Sequence, residues 1–469
     1  MGRMIAVAYD PSARYAGTSP ARIPRWGGKE IAMQIVSSDK SLGTDPTRAE
    51  HWPVPRRQAW FAFVMAFLLM AFDFMDRQIV VAMFPALKAE WGLSDKQLAS
   101  LTAAVSITVA VFAFPIALLA DRWSRVKSIV VMGVVWSLAT IACGFARSYG
   151  QLLAARAVIG LGEAGYGAAG GALLTSMFPA ARRATVVGGF LAAAVVGSVL
   201  GVALGGFLTA RWGWQAAFGV VGLPGLVLAL LFLLVRDYRT VPLTDPEARR
   251  LGVRGVLRGL LGPRTALLCY AGGALQLLTV STVYVWLPSY LNRFHGLATD
   301  KAGLMTALVL VLGSVGIVLW GYVADRVGDS SPQRKLMVPA ACLVVAALLL
   351  SVGFGAMPPS GLQFVVIAAG GFMMTAASGT VPAAAIDVIH PGLRATGAAM
   401  VAVVQNLFGL AAGPLITGVL SDAFCLVTAL SIMPLFCLAS AAVLMAGTRV
   451  YPAELNAART LASMTMQSD

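Results

Sequence analysis

The feature that most constrains this chain is the recurrence of apolar runs about 20 residues long, each enough to cross a bilayer as a helix. Hydrocarbon offers no water to backbone amides, so runs of this kind must close their hydrogen bonds within a helix. Twelve such runs are read, at roughly 58–84, 97–119, 128–146, 150–175, 185–208, 214–235, 265–290, 302–324, 336–354, 361–386, 396–420 and 424–448. They are numbered spans 1 to 12 below. Composition agrees: 58% of the residues are hydrophobic and only 12% charged, where a soluble domain is nearer half and a quarter. The expected fold is therefore an all-α membrane protein.

A formal net charge of +14 raises a nucleic-acid partner, but the placement of the charge excludes one. Arg56 and Arg57, then Arg122, Arg125 and Lys127, then Arg182 and Arg183, the series from Arg236 to Arg264, then Arg326, Arg334 and Lys335, and finally Arg394 all sit at ends of apolar runs, in alternate loops. The intervening loops carry only Lys88 and Lys96, Arg147, Arg211, and Arg293 with Lys301. This is the positive-inside pattern, with both termini in the cytoplasm, a plasma-membrane location and anionic lipid headgroups as neighbours. Residues 1–52 lack an apolar core and read as a disordered cytoplasmic tail, not a signal peptide; Met1 and Met33 are both candidate starts. The expected organisation is a six-helix bundle over 53–235, an Arg-rich cytoplasmic linker over 236–264 with Pro242 and Pro246, a second bundle over 265–449 and a cytoplasmic tail over 450–469. Cys143, Cys269, Cys342, Cys425 and Cys437 all fall in apolar runs, and they read as buried small hydrophobes.

The two halves share marks. Ala120-Asp121-Arg122 recurs as Ala324-Asp325-Arg326, about 204 positions on, and Arg183-Ala184-Thr185 recurs as Arg394-Ala395-Thr396, about 211 positions on. Duplicated six-helix halves describe a secondary transporter with a midplane site, in two pseudo-symmetric bundles. The loop Ala117 to Lys127 and its partner Gly321 to Lys335 resemble the major facilitator signature Gly-x-Leu-Ala-Asp-Arg-x-Gly-Arg-Lys, with Ala117 and Ser124 in place of two glycines. That resemblance implies a conformational latch built on Asp121, Arg122, Arg125, Asp325 and Arg326. Asp73-Phe74-Met75-Asp76-Arg77 in span 1, together with Arg156 to Tyr166, Phe178-Pro179 and Arg182 to Thr185, resembles the Spinster-like branch. Relatives in that branch carry lysophospholipids or sphingosine phosphate. The residues matching Asp76, Arg77, Arg156 and Glu163 are implicated there in transport. Gly188, Gly197, Gly201, Gly205 and Gly206 echo the antiporter glycine pattern, with Val202 where that pattern has proline. Small residues at this spacing, like Gly409, Gly413 and Gly418 in span 11, also serve close helix packing.

Asp73, Asp76, Arg77, Arg156 and Glu163 are charged residues inside spans, and the C-terminal half has none so placed. Each costs roughly 2.5–3.5 kcal/mol to insert, so they are expected to face a cavity or one another. Asp73 and Arg77 lie one turn apart, and Arg156 and Glu163 two turns apart on one face. Opposite span directions put Arg156 level with Asp76 and Arg77. A carboxylate pressed between burial and a guanidinium can load and release a proton, which casts Glu163, Asp76 and Asp73 as proton carriers. Arginine stays charged and suits an anionic group, so Arg156 and Arg77 are candidate substrate contacts, joined by Tyr166, Gln276, Tyr284, Gln405 and Asn406. A polar head on the N-terminal half with a tail along the C-terminal half would suit an amphiphile. The alternatives are a small organic anion or a drug carried by the same fold, or a static ion-pair network at these positions. No cofactor or metal is expected: Gly160-x-Gly162-x-x-Gly165 has no strand before it, and His51, His295 and His390 are solitary. The expected partners are membrane lipids, protons and the cargo, with the chain acting as a monomer.

Overall fold

A computed structural model describes residues 52–235, 253–390 and 393–468. The expected tail over 1–52, apart from Trp52, lies outside the described residues, and so do linker residues 236–252. All described residues belong to one unit beginning at Trp52. Among them every regular element is helical.

The spans run longer than their apolar cores. Span 1 is Arg56–Trp91, span 2 Asp95–Arg122, span 3 Arg125–Gly144, span 7 Arg264–His295, span 8 Thr299–Ser330 and span 9 Pro332–Gly355. Local chemistry explains where they begin and end. Ser94, Ser124, Ser148 and Ser360 each accept the backbone N–H three residues on, at Gln97, Lys127, Gln151 and Gln363. Such caps satisfy amides that a helix leaves open at its start. Gly92 and Gly296, both left-handed, close spans 1 and 7.

Eleven helical stretches among the described residues are long and apolar enough to cross a membrane, one fewer than the twelve expected. The discrepancy resolves at Gly213. The stretch Ala181–Leu234 holds 54 residues, about 80 Å if straight, more than twice a hydrocarbon core. Gly213 has φ 81° and ψ 163°, a region essentially closed to side chains, and there the stretch folds back. Spans 5 and 6 are its two arms, and twelve spans result.

Four spans are interrupted, span 12 between Leu426–Ile432 and Leu435–Ser468 among them. Span 4 breaks between Tyr149–Glu163 and Tyr166–Met177, with Gly165 at φ 93°. Span 10 divides into Gly361–Met374 and Ala377–Asp387. Span 11 passes from Arg394–Val404 through a π-helical segment Gln405–Ala411 into Ala412–Ala423. Segments of this kind are frequent at functional sites. The final helix, Leu435–Ser468, continues well past the bilayer. The expected tail is therefore a docked extension: Tyr451 and Leu455 are buried, and the Glu454 carboxylate accepts the N–H groups of Arg264 and Thr265 at 2.9 Å each, capping span 7.

The glycine stripes pack helices. Gly197, Gly201 and Gly205 lie against Ala71, Met75 and Ile79 of span 1, and Gly409 and Gly413 lie against Leu277 and Leu278 of span 7. Spans 5 and 11 thus meet spans 1 and 7 in the same way, the pairing that a duplicated bundle requires. The cysteine reading holds for four residues. Cys425 is exposed, because it caps the helix Leu426–Ile432 from the gap before it and its sulfur accepts from the Thr428 N–H.

Gly213→Ala is expected to cost about 1–3 kcal/mol through backbone strain, read as a lowered thermal unfolding midpoint in detergent.

Candidate functional site: a charged cluster at the head of an apolar cavity

Spans 1 and 4 bring the five intramembrane charges together. Arg77 Nη2 lies 2.8 Å from Glu163 Oε2, and its Nε donates to Asp73 Oδ1 at 3.2 Å. Arg156 Nη1 donates to both the carboxylate and the backbone carbonyl of Asp76, each at 3.2 Å, while its Nε donates to the Leu101 carbonyl of span 2. Asp76 and Arg156 are each only 1% exposed. The break at Gly165 lets the second part of span 4 start afresh just beyond Glu163. Arg77 also lies 5.2 Å from the Phe74 ring centroid, a cation–π contact.

Asp73, Arg77, Arg156 and Glu163 border a cavity of about 940 Å³, at the upper end of the roughly 300–1,000 Å³ typical of small-molecule sites. Spans 1, 2, 4, 7 and 11 and the helix Val253–Leu261 contribute its wall. On span 2 the wall runs from Thr102 to Ala117, 15 residues or about 22 Å. Most of the remaining wall is apolar, with Val109, Phe114, Val280 and Val285 representative, and Ser281, Tyr284, Thr396 and Asn406 add isolated polar groups. The cavity is long, narrow in its chemistry at one end and greasy along the rest.

The expected site residues divide. Asp73, Glu163, Arg77, Arg156, Tyr284 and Asn406 line the cavity. Asp76 stands behind Arg156, and three expected cargo contacts are placed elsewhere. Tyr166 is fully buried between Trp136 and Phe190, its hydroxyl donating to the Ala66 carbonyl at 2.7 Å. Gln276 donates to the Met374 carbonyl and to Ser378, at 2.8 and 3.0 Å. Gln405 sits against Gly273 of span 7 and is not part of the wall. Their polar groups serve helix contacts, the common fate of amides and hydroxyls inside a bundle. The same holds for Thr279, which donates to the Met433 carbonyl, and for Trp286, which donates to the Pro414 carbonyl. Spans 7 and 11 of the C-terminal half still supply much of the apolar wall, through Val280, Val285, Ala399, Met400, Val403 and Leu410. The cavity runs from the cluster toward the connecting helix, between spans 2 and 11.

The Major Facilitator Superfamily model matches residues 66–414, about three quarters of the chain. The chain belongs to the Major Facilitator Superfamily. It is a multi-pass membrane transporter and not an enzyme. Spinster homolog 1 of Xenopus laevis is 26% identical over 423 residues, covering 84% of this chain and 80% of that protein. A hexuronate transporter of Bacillus subtilis is 25% identical over 351 residues, 73% of this chain and 80% of its own length. A gallate transporter of Pseudomonas putida is 27% identical over 393 residues, 76% of this chain and 85% of its own. The fold matches a crystal structure of a bacterial homolog to the human lysosomal transporter Spinster, in an inward-facing and unoccupied conformation. The TM-score is 0.79 at 21% identity, over 86% of this chain and 99% of that one.

Sequence reading of this superfamily member missed the polar cluster at the end opposite the connecting helix. Asp95, at the start of span 2, receives Lys88 Nζ at 2.5 Å, both Arg293 terminal nitrogens at 2.7 Å and Ser421 Oγ at 2.5 Å. Asp422 in turn accepts the N–H groups of Asp95 and Lys96 at 2.8 Å each. Spans 1 and 2 are thereby clasped to spans 7 and 11. Below the clasp Phe84 packs on Trp286, 5.6 Å between centroids. Nearby, Gly206 of span 5 meets Thr299 and Gly303 of span 8 backbone to backbone. One signal pointed there. Asp422 sits in the last turn of its helix, where the macrodipole disfavours an anion, unless another helix start receives it.

At the connecting-helix end, the C-terminal copy of the latch is organised around Lys335, 3.4 Å from Asp325 and 3.2 Å from Asp387. Tyr451 donates to Asp387 as well, so the latch includes the terminal helix. Arg326 instead lies over the Tyr322 ring at 5.3 Å. In the N-terminal copy Arg125 reaches the Ala172 carbonyl at 3.5 Å, while the side chains of Asp121 and Arg122 lie outside the described residues.

Arg156→Gln leaves the Asp76 carboxylate buried without its cation and is expected to destabilise by about 3–5 kcal/mol. Adding Asp76→Asn should recover most of that in thermal unfolding. Asp95→Asn removes the shared acceptor of Lys88 and Arg293, and spin labels at positions 96 and 301 should report longer distances.

Proposed function

We propose that this transporter couples proton movement to the passage of an anionic or zwitterionic amphiphile, a lysophospholipid-like or sphingolipid-like molecule, by alternating access. The observation that carries the reading is one cavity with two chemistries: a compact ionic cluster on one flank and a mostly apolar wall that runs about 22 Å along span 2. Three carboxyl groups share two guanidinium groups in the cluster. Arg77 serves both Asp73 and Glu163, so the cluster carries one excess acid, and a proton on that acid makes it neutral. An anionic headgroup competing for Arg77 displaces a carboxylate. In so dry a place the displaced group is best held protonated. Anion binding and proton uptake therefore favour each other, with Glu163 and Asp73 as carriers and Arg77 as the headgroup contact.

The clasp at Asp95 closes the outer end, which corresponds to a state open toward the cytoplasm, with the alternate-loop basic residues facing inward at a plasma membrane. A single chain supplies the whole pathway. A second reading retains the fold and the arginines but carries a small organic anion. It is favoured by the hexuronate and gallate carriers among the similar proteins. A thermal-shift panel of lysophosphatidate against glucuronate and gallate separates the two, since a ligand stabilises the state it binds. In proteoliposomes Glu163→Gln should bind the same ligand yet lose the acceleration produced by an imposed proton gradient. Acceleration equal to that of the unaltered protein would remove Glu163 from the coupling role.

A further inference from the structure

The head of the cavity is closed by the ionic cluster and the clasp, but its other end is not closed by any span. There the wall is completed by Val256, Leu257 and Leu260 of the helix Val253–Leu261, part of the connection between the halves. Positions 256, 257 and 260 fall on one helical face. Arg258 instead borders a separate hollow, beside Glu454. The helix is fixed in place. Leu260 is buried, its carbonyl accepts the Tyr270 hydroxyl at 3.5 Å, and Gly259 rests against Leu393. Leu257, which lines the cavity, is 42% exposed. Phe114 of span 2 is 60% exposed and borders the same space. Two large apolar side chains thus face an unfilled volume continuous with Arg77.

We infer that the connecting helix is part of the binding site, and that Val256, Leu257 and Leu260 receive the apolar tail of the cargo whose charged group lies against Arg77. This rests on the amphiphile reading above. The occupant must be long, because the wall spans about 22 Å along span 2, and largely apolar at the helix end, where these three side chains and Met400 outweigh the single hydroxyl of Thr396. A single-ring acid held at Arg77 would leave the helix untouched. An acyl chain reaching it gains affinity with every methylene it buries, about fourfold each. The linker, read from sequence as a basic connector only, then sets the preference for tail length.

The test uses the full chain in nanodiscs with a long-chain lysophosphatidate carrying a diazirine at the tail end, and a diazirine benzoate as the short control. The expected result is adducts within residues 256–260, removed by excess unlabelled lysophosphatidate and reduced at least fivefold in Leu257→Gln, an exposed position where folding is not at risk. Competed lysophosphatidate adducts confined to the spans would overturn the role of the helix while leaving the amphiphile reading intact. Competed labelling by benzoate alone would overturn both. Faster transport of every tested solute in Leu257→Gln would make the helix a lid and overturn its role in tail binding.

Discussion

A bilayer interior supplies neither hydrogen bonds nor counter-ions, and this constraint organises nearly every polar contact in the protein. The backbone meets it by forming helices, whose serine-capped starts fall at the ends of the apolar runs. The side chains meet it in two ways. In the C-terminal half, Gln276, Thr279, Ser281 and Trp286 give their protons to carbonyls of neighbouring helices and so act as rivets. In the N-terminal half five charges satisfy one another. Breaking such a group strands a partner in low dielectric, which costs far more than the pair contributes. The cluster is consequently a fixed point for spans 1 and 4.

The same constraint separates the two ends of the molecule. At one end the halves are joined by ionic contacts around Asp95, by the Phe84–Trp286 pair and by direct backbone packing at Gly206. At the other they are connected through a short amphipathic helix, and the C-terminal half is braced by Lys335, Asp387 and Tyr451. Polar pairs of this sort exchange partners at modest cost where water reaches them, whereas the glycine-packed pairs of spans 1 with 5 and 7 with 11 do not depend on charge. The internal packing of each bundle thus rests on contacts that neither water nor charge exchange loosens.

Much of this was legible in the residues. Span number, duplicated halves and the grouping of Asp73, Asp76, Arg77, Arg156 and Glu163 follow from apolar run length, repeat offsets and the cost of burying charge. The boundary between spans 5 and 6 was legible too, as the gap between the runs 185–208 and 214–235; what the residues did not declare is that Gly213, with positive φ, makes the turn without a loop. Tyr166 and Gln276 misled for a different reason. Residue type declares that a side chain needs a partner, but not whether that partner is a ligand or the carbonyl of the next helix. The clasp was hidden because its members are scattered from Lys88 to Asp422, and each looks like an ordinary loop charge until the halves are brought together. Only Asp422, an anion at the wrong pole of its helix, announced a distant partner.

The fold-back at Gly213 carries one more consequence. With no slack between them, spans 5 and 6 form a stiff hairpin. Span 5 touches the opposite half at Thr299 and Gly303, and span 6 is seated on span 3 through Gly222 and Ile141. A push from the second bundle on span 5 is therefore shared with span 6 and span 3, and the first bundle meets it as one body.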